Sequence, residues 1–161
     1  MEPPFVFQGD NAEESALVRL FVLLEAPAPL AGMAFPAPET DWAALYRRGF
    51  RRVVRLHPGE YDPSPLALDE IVLEDLVGGC VPREPALERD RVVEAGHAVA
   101  ESVRRGEGVI VHCLGGVGRT GTVLGCALRE LGYSADEAVA AIRAHRPSWP
   151  ESPWQEEIVR I

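Results

Sequence analysis

A glycine-rich turn between a short apolar run and a helical pattern constrains the fold of this chain more than any other feature. The run Gly108–His112 (GVIVH) is unbroken, as is typical of a strand that is buried on both faces of a parallel sheet. Cys113 and Arg119 follow it, separated by five residues of which three are glycines. A helix is predicted from about Arg119 to Leu131. A strand, a tight turn and a helix in this order predict an α/β fold.

The rest of the chain adds strands that alternate with helices and then ends in helices alone. Strands are predicted over Arg51–Leu56 and Asp69–Glu74, and one or two edge strands are expected before Pro38. A short helix is predicted from Thr40 or Asp41 through Arg48, with Gly49 after its end, and helical periodicity predicts a long helix over Pro85–Arg105. Two capping boxes predict the remaining helices. Ser134 and Glu137 begin a helix that runs to His145, and Ser152 and Gln155 begin the last one. We therefore expect a single domain over residues 1–161, an α/β fold with a central, mainly parallel twisted sheet of about four or five strands flanked by helices.

The charge balance argues against a nucleic-acid or membrane partner. The 161 residues include 16 basic and 25 acidic side chains, for a net charge of −9 at neutral pH, and such a surface repels polynucleotides and anionic lipids. The longest uncharged stretch, Ala26–Pro38, contains four prolines, so no membrane span is predicted. Lysine is absent, so arginine is the cation available as a phosphate ligand.

The cysteine count predicts a reducing compartment. Cys80, Cys113 and Cys126 are an odd number of thiols, and the first positive charge, Arg19, follows four acidic residues. We therefore expect no secretory leader, a cytoplasmic protein and at least one thiol available for chemistry. Cys126, in the helix after the turn, is expected in the core. One short acidic domain is expected to be a monomer.

The glycine turn predicts a cup for a tetrahedral anion. Successive glycines let backbone N–H groups turn inward, and the start of the following helix adds partial positive charge. The guanidinium of Arg119 adds a planar pair of donors that matches two phosphoryl oxygens. The same groups stabilise a thiolate on Cys113, which is predicted to attack bound phosphorus and form a cysteinyl-phosphate. The expected phosphate ligands are Leu114, Gly115, Gly116, Val117, Gly118 and Arg119.

The residues that flank the turn have supporting roles in this interpretation. Thr120 is expected to donate its hydroxyl to the sulfur when the sulfur becomes a leaving group. His112 is expected to point away from substrate and to hydrogen-bond the loop backbone. No metal or other cofactor is expected, because the remaining histidines lack metal-ligand spacing: His57, His97 and His145.

Three other interpretations of the turn are weaker. A strand-end cysteine is more often a small core residue, but a core cysteine needs neither a nearby arginine nor three intervening glycines. Gly116–Gly121 satisfies the G-x-G-x-x-G pattern of dinucleotide sites, yet a second helix and then Arg146-Pro147 occupy the interval in which such a site needs an acidic strand end. The Walker pattern fails because the chain has no lysine.

The segment His112-Cys113-(five residues)-Arg119-Thr120 resembles the phosphate loop of the cysteine-dependent protein tyrosine phosphatases, and most closely that of their compact dual-specificity branch. Other stretches also resemble the pattern of that family: Leu45…Gly49-Phe50…Val53-Val54, Arg143…Arg146-Pro147 and Gln155-Glu156. The resemblance covers most of the chain from about Met33 onward. It implies metal-independent hydrolysis of phosphate monoesters, most closely by a tyrosine or dual-specificity phosphatase.

The resemblance also implies a general acid on a mobile loop upstream of the cysteine. We assign this role to Asp75, which closes an apolar strand and precedes the pair Gly78-Gly79. This carboxyl would protonate the leaving oxygen and then deprotonate the attacking water. Asp69 and Glu74 are the alternatives.

Two more residues receive hypotheses with open alternatives. Gln155 resembles a glutamine that some family members use to position the hydrolytic water, and its alternative role is the capping partner of Ser152. Cys80 lies near the predicted acid and is a candidate for a peroxide-induced disulfide with Cys113. An incidental loop cysteine is the alternative.

The uncharged loop bears on the substrate class. Relatives that act on inositol lipids tend to carry lysines there, so a phosphorylated protein or a small phosphomonoester is the expected substrate. The chain shows no extra elements for a deep cleft, and a shallow pocket would accept phosphoserine and phosphothreonine as well as phosphotyrosine. Two alternatives stay open, namely a phosphatase of inositol phosphates or nucleotides and a non-catalytic module that binds phosphorylated partners through Arg119.

Overall fold

Five strands form one sheet around the predicted Gly108–His112 strand. The structure, a computed structural model, describes residues 20–161. The strands are β1 (Phe21–Leu24), β2 (Leu30–Met33), β3 (Phe50–Arg55), β4 (Ala67–Glu70) and β5 (Gly108–His112). Their order is β1-β2-β5-β3-β4, in which β1 is antiparallel to β2 and the other neighbours are parallel. The predicted α/β fold with a mainly parallel sheet is confirmed.

Helices cover both faces of this sheet. They are α1 (Trp42–Arg47), α2 (Pro85–Arg104), α3 (Gly118–Glu130), α4 (Ala135–His145) and α5 (Pro153–Arg160). Val109 and Val111 of β5 lie in the core that also holds residues of α2, α3, α4 and α5, whereas Ile110 packs with Leu45 of α1. Burial on both faces explains why the β5 sequence is apolar without alternation. Within residues 20–161, none of the helices is long and apolar enough to cross a bilayer.

The predicted capping signals operate in the structure. Asp41 rather than Thr40 caps α1, because its carboxylate accepts the Ala44 N–H at 2.9 Å. Gly49 has a φ of +107°, the left-handed conformation that ends a helix at low steric cost. The capping boxes at the starts of α4 and α5 are also formed.

Two strand predictions are wrong in position. The strand expected over Asp69–Glu74 is β4, which ends at Glu70 because its partner β3 ends opposite, at Arg55. Beyond this point the chain stays close to its neighbour through isolated contacts, such as the hydrogen bond from Leu73 N–H to the Leu56 carbonyl at 3.1 Å. Strand β2, expected at an edge, lies inside the sheet between β1 and β5.

The opening segment is only partly described. The apolar residues Leu20–Leu24 include β1, which does occupy an edge of the sheet. The predicted start of the domain at Met1, and the part of this segment before Leu20, lie outside the described residues.

The topology places the end of β5 beside the ends of two parallel neighbours, β2 and β3. Because the carboxyl ends of parallel strands meet at one edge of a sheet, the loops that follow them are neighbours in space. The glycine turn begins there, and Gly116 within it has a φ of +72°. A Cβ at this position would lie 2.6 Å from the carbonyl oxygen of Met33, so the turn can pass the end of β2 only with glycine.

Candidate active site

Cys113 lies at the carboxyl end of β5, where the glycine turn begins. The residue is 3% exposed, and Thr120 in the first turn of α3 donates its hydroxyl to the sulfur over 3.1 Å. Helix α3 starts at Gly118, so its positive end is directed toward the turn. The fold thus brings a buried thiol, a hydroxyl donor and a helix N-terminus together, a combination that stabilises a sulfur anion.

The guanidinium of Arg119 is held along one edge by groups outside the turn. Its Nη1 donates to Nδ1 of His57 at 3.1 Å and to the carbonyl oxygen of Leu73 at 3.3 Å. Its Nη2 lies 3.4 Å from Oδ2 of Asp75, and the arginine side chain is 6% exposed. Among residues 20–161, Nε of Arg119 donates no hydrogen bond. The edge formed by Nε and Nη2 therefore keeps donors for an oxyanion.

Asp75 is the acid that lies beside Arg119. Its side chain is 42% exposed, and Oδ1 accepts the N–H of Val77 at 3.2 Å. The two alternative acids each pair with another arginine: Asp69 with Arg52 at 2.9 Å and Glu74 with Arg83 at 3.1 Å. Asp75 thus has a contact with Arg119, whereas the other two acids pair with arginines elsewhere.

A neutral imidazole supports the backbone at Cys113. Nδ1–H of the fully buried His112 donates to the Cys113 carbonyl at 2.9 Å, and Nε2 accepts the hydroxyl of Tyr61 at 2.5 Å. The proton is assigned to Nδ1 because a carbonyl oxygen only accepts. Burial lowers the pKa of His112 to about 4 and raises the pKa of Tyr61 to about 12, so both groups are neutral near pH 7. Both ring nitrogens are therefore used to hold the start of the turn.

Side chains from the segment between α4 and α5 contact the other end of the turn. Nε of Arg146 donates to the Gly116 carbonyl at 2.9 Å, and Nε1 of Trp149 donates to the Gly118 carbonyl at 3.2 Å. The N–H of Gly118 donates to Oε1 of Glu151 at 3.2 Å. Of the predicted phosphate ligands, Gly118 therefore has its amide already engaged, and a phosphoryl oxygen can use it only after Glu151 moves away.

The contacts of Gln155 fit both of its hypothesised roles. Its side-chain oxygen accepts the N–H groups of Glu151 at 2.9 Å and Ser152 at 3.2 Å, as a capping partner does. Its Nε2 lies 3.0 Å from the position that a Cβ on Gly118 would occupy, so the amide nitrogen is next to the turn. The residue is 1% exposed, and its orientation is set by the start of α5.

The three cysteines are free thiols in different surroundings. Cys126 is buried in α3 as predicted, and burial raises the pKa of its thiol to about 12. Cys80 is exposed, and its carbonyl accepts the hydroxyl of Ser152 at 2.7 Å. A disulfide between Cys80 and Cys113 stays a hypothesis. No cluster of three or more His, Cys, Asp or Glu side chains placed to hold a metal ion occurs in residues 20–161.

Sequence reasoning missed four residues that touch the site: His57, Tyr61, Trp149 and Glu151. His57 had a sequence signal, because it directly follows the predicted strand Arg51–Leu56, and the structure pairs the end of that strand with β5, with Arg55 opposite His112. Tyr61, Trp149 and Glu151 lie in loops without local periodicity, and only the tertiary fold brings them to the turn.

Comparison with known proteins gives a family match over nearly the whole chain. Residues 19–159 match the family model described as Swiss Army Knife protein, DSP-PTPase phosphatase domain. The tyrosine-protein phosphatase cdc-14 of Caenorhabditis elegans is 28% identical over 132 residues, which are 80% of this chain and 17% of that protein. The tyrosine-protein phosphatase cdcA of Emericella nidulans is 31% identical over 111 residues, which are 67% of this chain and 18% of that protein. The chain therefore spans less than a fifth of the length of these curated relatives.

A solved structure shares the architecture. The active form of Tk-PTP superimposes with a TM-score of 0.63 and 27% sequence identity, over 81% of this chain and 88% of that one. The five-stranded sheet and its helices are thus an arrangement that is also found in a solved protein.

The buried imidazole predicts a specific pH dependence of stability. The pKa of His112 is about 4 in the folded chain against an ordinary value of 6.5, so the unfolded chain binds more protons between these pH values. The contribution of His112 to the free energy of unfolding is therefore complete above pH 6.5 and is lost as the pH falls toward 4. Urea unfolding at a series of pH values should show wild type losing stability relative to His112→Asn across this range. Parallel curves for the two proteins would contradict the neutral assignment.

Proposed function

The chain belongs to the Swiss Army Knife DSP-PTPase phosphatase domain family, and on this basis we propose that it hydrolyses phosphate monoesters through a cysteinyl-phosphate on Cys113, without a metal ion. The contact that carries the proposal is the hydrogen bond from Thr120 to the buried Cys113 sulfur at 3.1 Å, in a turn that also presents Arg119. A sulfur that accepts a hydrogen bond at a helix N-terminus is suited to be a nucleophile.

Phosphate binding uses the turn and the Nε and Nη2 edge of Arg119, where Asp75 lies 3.4 Å from Nη2. Amide groups in the turn donate to the oxygens of the phosphoryl group, and Nε–H and Nη2–H of Arg119 donate to two of them. The helix start at Gly118 adds its partial positive charge. This arrangement neutralises a phosphoryl dianion with fixed donors, and their contribution grows as charge shifts in the transition state.

The first chemical step forms the sulfur–phosphorus bond. The Cys113 thiolate attacks phosphorus, the bond to the ester oxygen breaks, and Asp75 supplies the proton that this oxygen takes with its electron pair. The 3.4 Å contact between Asp75 and Arg119 supports this role, because it holds the carboxyl at the site where the phosphoryl group binds.

The second step releases inorganic phosphate. Asp75, now a carboxylate, takes a proton from the attacking water, and the sulfur leaves phosphorus as a thiolate. The Thr120 hydroxyl donates to this sulfur and stabilises its developing charge. The nitrogen of Gln155 next to Gly118 supports a part for Gln155 in placing the water.

The charges near the turn favour a substrate with one phosphate group at the site. Arg146, which contacts the turn, is already engaged by the Gly116 carbonyl. The turn residues Leu114–Gly118 carry no charge, so Arg119 is the guanidinium that the turn itself offers. These features support a tyrosine or dual-specificity protein phosphatase over an enzyme for multiply phosphorylated inositols.

Two finer features of the proposal rest on composition. Three free thiols support a reducing, cytoplasmic location. The acidic net charge of −9 supports a monomer, because copies of the chain repel one another.

Loss of the nucleophile is the direct test of the proposed function. Cys113→Ser should lower hydrolysis of nitrophenyl phosphate to background in the presence of EDTA, because a serine hydroxyl is not ionised near pH 7. Cys80→Ser, at an exposed thiol, is the matched control and should keep the wild-type rate. A rate in Cys113→Ser equal to that of wild type, or wild-type activity that EDTA removes, would contradict the proposal.

Replacement of the general acid should lower the rate most for substrates with a poor leaving group. Asp75→Asn cannot protonate the ester oxygen, so kcat for phenyl phosphate should fall by about 10²-fold or more while the better leaving group of nitrophenyl phosphate loses much less. Asp69→Asn is the control, and its ratio of the two rates should equal that of wild type. Equal, small losses on both substrates in Asp75→Asn would remove Asp75 from the mechanism.

A further inference from the structure

His57 contacts Arg119 from a loop that the proposed chemistry does not use. Nη1 of Arg119 carries two hydrogens, and the structure gives each one an acceptor: Nδ1 of His57 at 3.1 Å and the Leu73 carbonyl at 3.3 Å. A guanidinium only donates, so Nδ1 of His57 must carry a lone pair and the ring proton must be on Nε2. The contact therefore selects one neutral tautomer of the imidazole.

We propose that His57 is a positioning residue that fixes the rotation of the Arg119 guanidinium, so that its Nε and Nη2 edge faces the phosphoryl group. With both Nη1 hydrogens engaged, rotation of the guanidinium plane would break two hydrogen bonds at once. The inference rests on the proposed function, because it concerns how the same turn binds phosphate.

The surroundings of His57 hold its ring in place. The preceding residue, Leu56, is fully buried and donates its N–H to the His112 carbonyl at 2.9 Å, which ties this loop to the end of β5. The Phe35 ring and the imidazole are nearly perpendicular, with an angle of 85° and a centroid distance of 6.2 Å. A Cβ on Gly59 would lie 2.4 Å from the Phe35 ring, so glycine at this position makes room for that ring. The acceptor is therefore fixed before substrate arrives.

The contact matters because Arg119 has a competing partner. Asp75 lies 3.4 Å from Nη2, on the edge that phosphate is to use. Without the His57 acceptor, one Nη1 hydrogen of a nearly buried cation loses its partner, and the guanidinium is drawn toward the carboxylate. His57 and the Leu73 carbonyl oppose this rotation from the other side.

Three substitutions distinguish a role of His57 as a hydrogen-bond acceptor at the δ position from a role in packing alone. Asparagine carries its side-chain oxygen on Cγ, as histidine carries Nδ1, so His57→Asn keeps an acceptor at the same branch point. His57→Gln places its oxygen one bond farther out, and His57→Ala removes the acceptor. His97, a half-exposed histidine on α2, provides the control variant His97→Ala.

The readouts are chosen to report the orientation of Arg119. His57→Ala should lower kcat/KM for nitrophenyl phosphate by about tenfold to 100-fold and raise the inhibition constant of tungstate by about tenfold, as expected for a hydrogen bond to a charged group. His57→Asn should restore both values to within about threefold of wild type, while His57→Gln should stay close to His57→Ala. The ratio of rates on phenyl and nitrophenyl phosphate should not change in any of them, because His57 does not touch the leaving oxygen.

The outcomes distinguish this inference from the proposed function. If wild type is inactive or Cys113→Ser is as active as wild type, the proposed function fails. If wild type is active but His57→Ala matches it and His97→Ala, the positioning role is wrong while the function stands. Failure of asparagine to restore tungstate inhibition, or equal restoration by glutamine, also overturns the role. Should His57→Ala not fold, the comparison of His57→Asn with His57→Gln decides the question in the same way.

Discussion

The site depends on one electrostatic requirement, which is that a nearly buried guanidinium and a nearly buried sulfur lie beside the same turn before any phosphate is present. Arg119 is 6% exposed and Cys113 is 3% exposed, so each needs polar partners from the protein. The structure supplies them from outside the turn, with His57, the Leu73 carbonyl and Asp75 on the arginine and Thr120 on the sulfur. The donors that remain are the ones that a phosphoryl group can use.

The sheet topology explains how these partners reach the turn. Strands β3 and β5 are parallel neighbours, so the chain after β3 comes out beside the chain after β5. His57 is two residues past the end of β3 and Cys113 is one residue past the end of β5, at the same edge. The long apolar contact of α3 with the sheet then fixes the helix whose first turn carries Arg119 and Thr120. The fold therefore brings charged and polar groups from separate segments of the chain to the same edge of the sheet.

Features that depend only on residues close together in the sequence were predictable from it. The unbroken run of β5, the glycines after it and a helix cap at Thr40 or Asp41 are local signals, and the structure has the strand, the turn and a cap at Asp41. The end of β4 was not predictable, because it is set by where β3 stops. The same limit applies to β2, since a short apolar strand has the same sequence pattern whether it lies at an edge or inside a sheet.

Within the site, too, local sequence predicts some features while others depend on tertiary contacts. Cys113, Arg119 and Thr120 share one continuous motif, so their proximity follows from a single turn. The contact of Asp75 with Arg119 depends on a separate loop, and the family resemblance pointed to it where periodicity could not. His57 and Tyr61 have no motif at all, and their contacts follow from strand order and loop packing. The amide of Gly118 adds a correction in detail, because Glu151 already occupies a donor that the turn motif assigns to phosphate.

Tungstate is a tetrahedral oxyanion, and a crystal structure with tungstate bound would show directly which donors of the site it uses. We expect the oxyanion inside the turn next to the Cys113 sulfur, with Nε and Nη2 of Arg119 donating to its oxygens and Nη1 still donating to His57 and the Leu73 carbonyl. An empty turn, or an oxyanion bound through Nη1 with His57 released, would contradict this expectation.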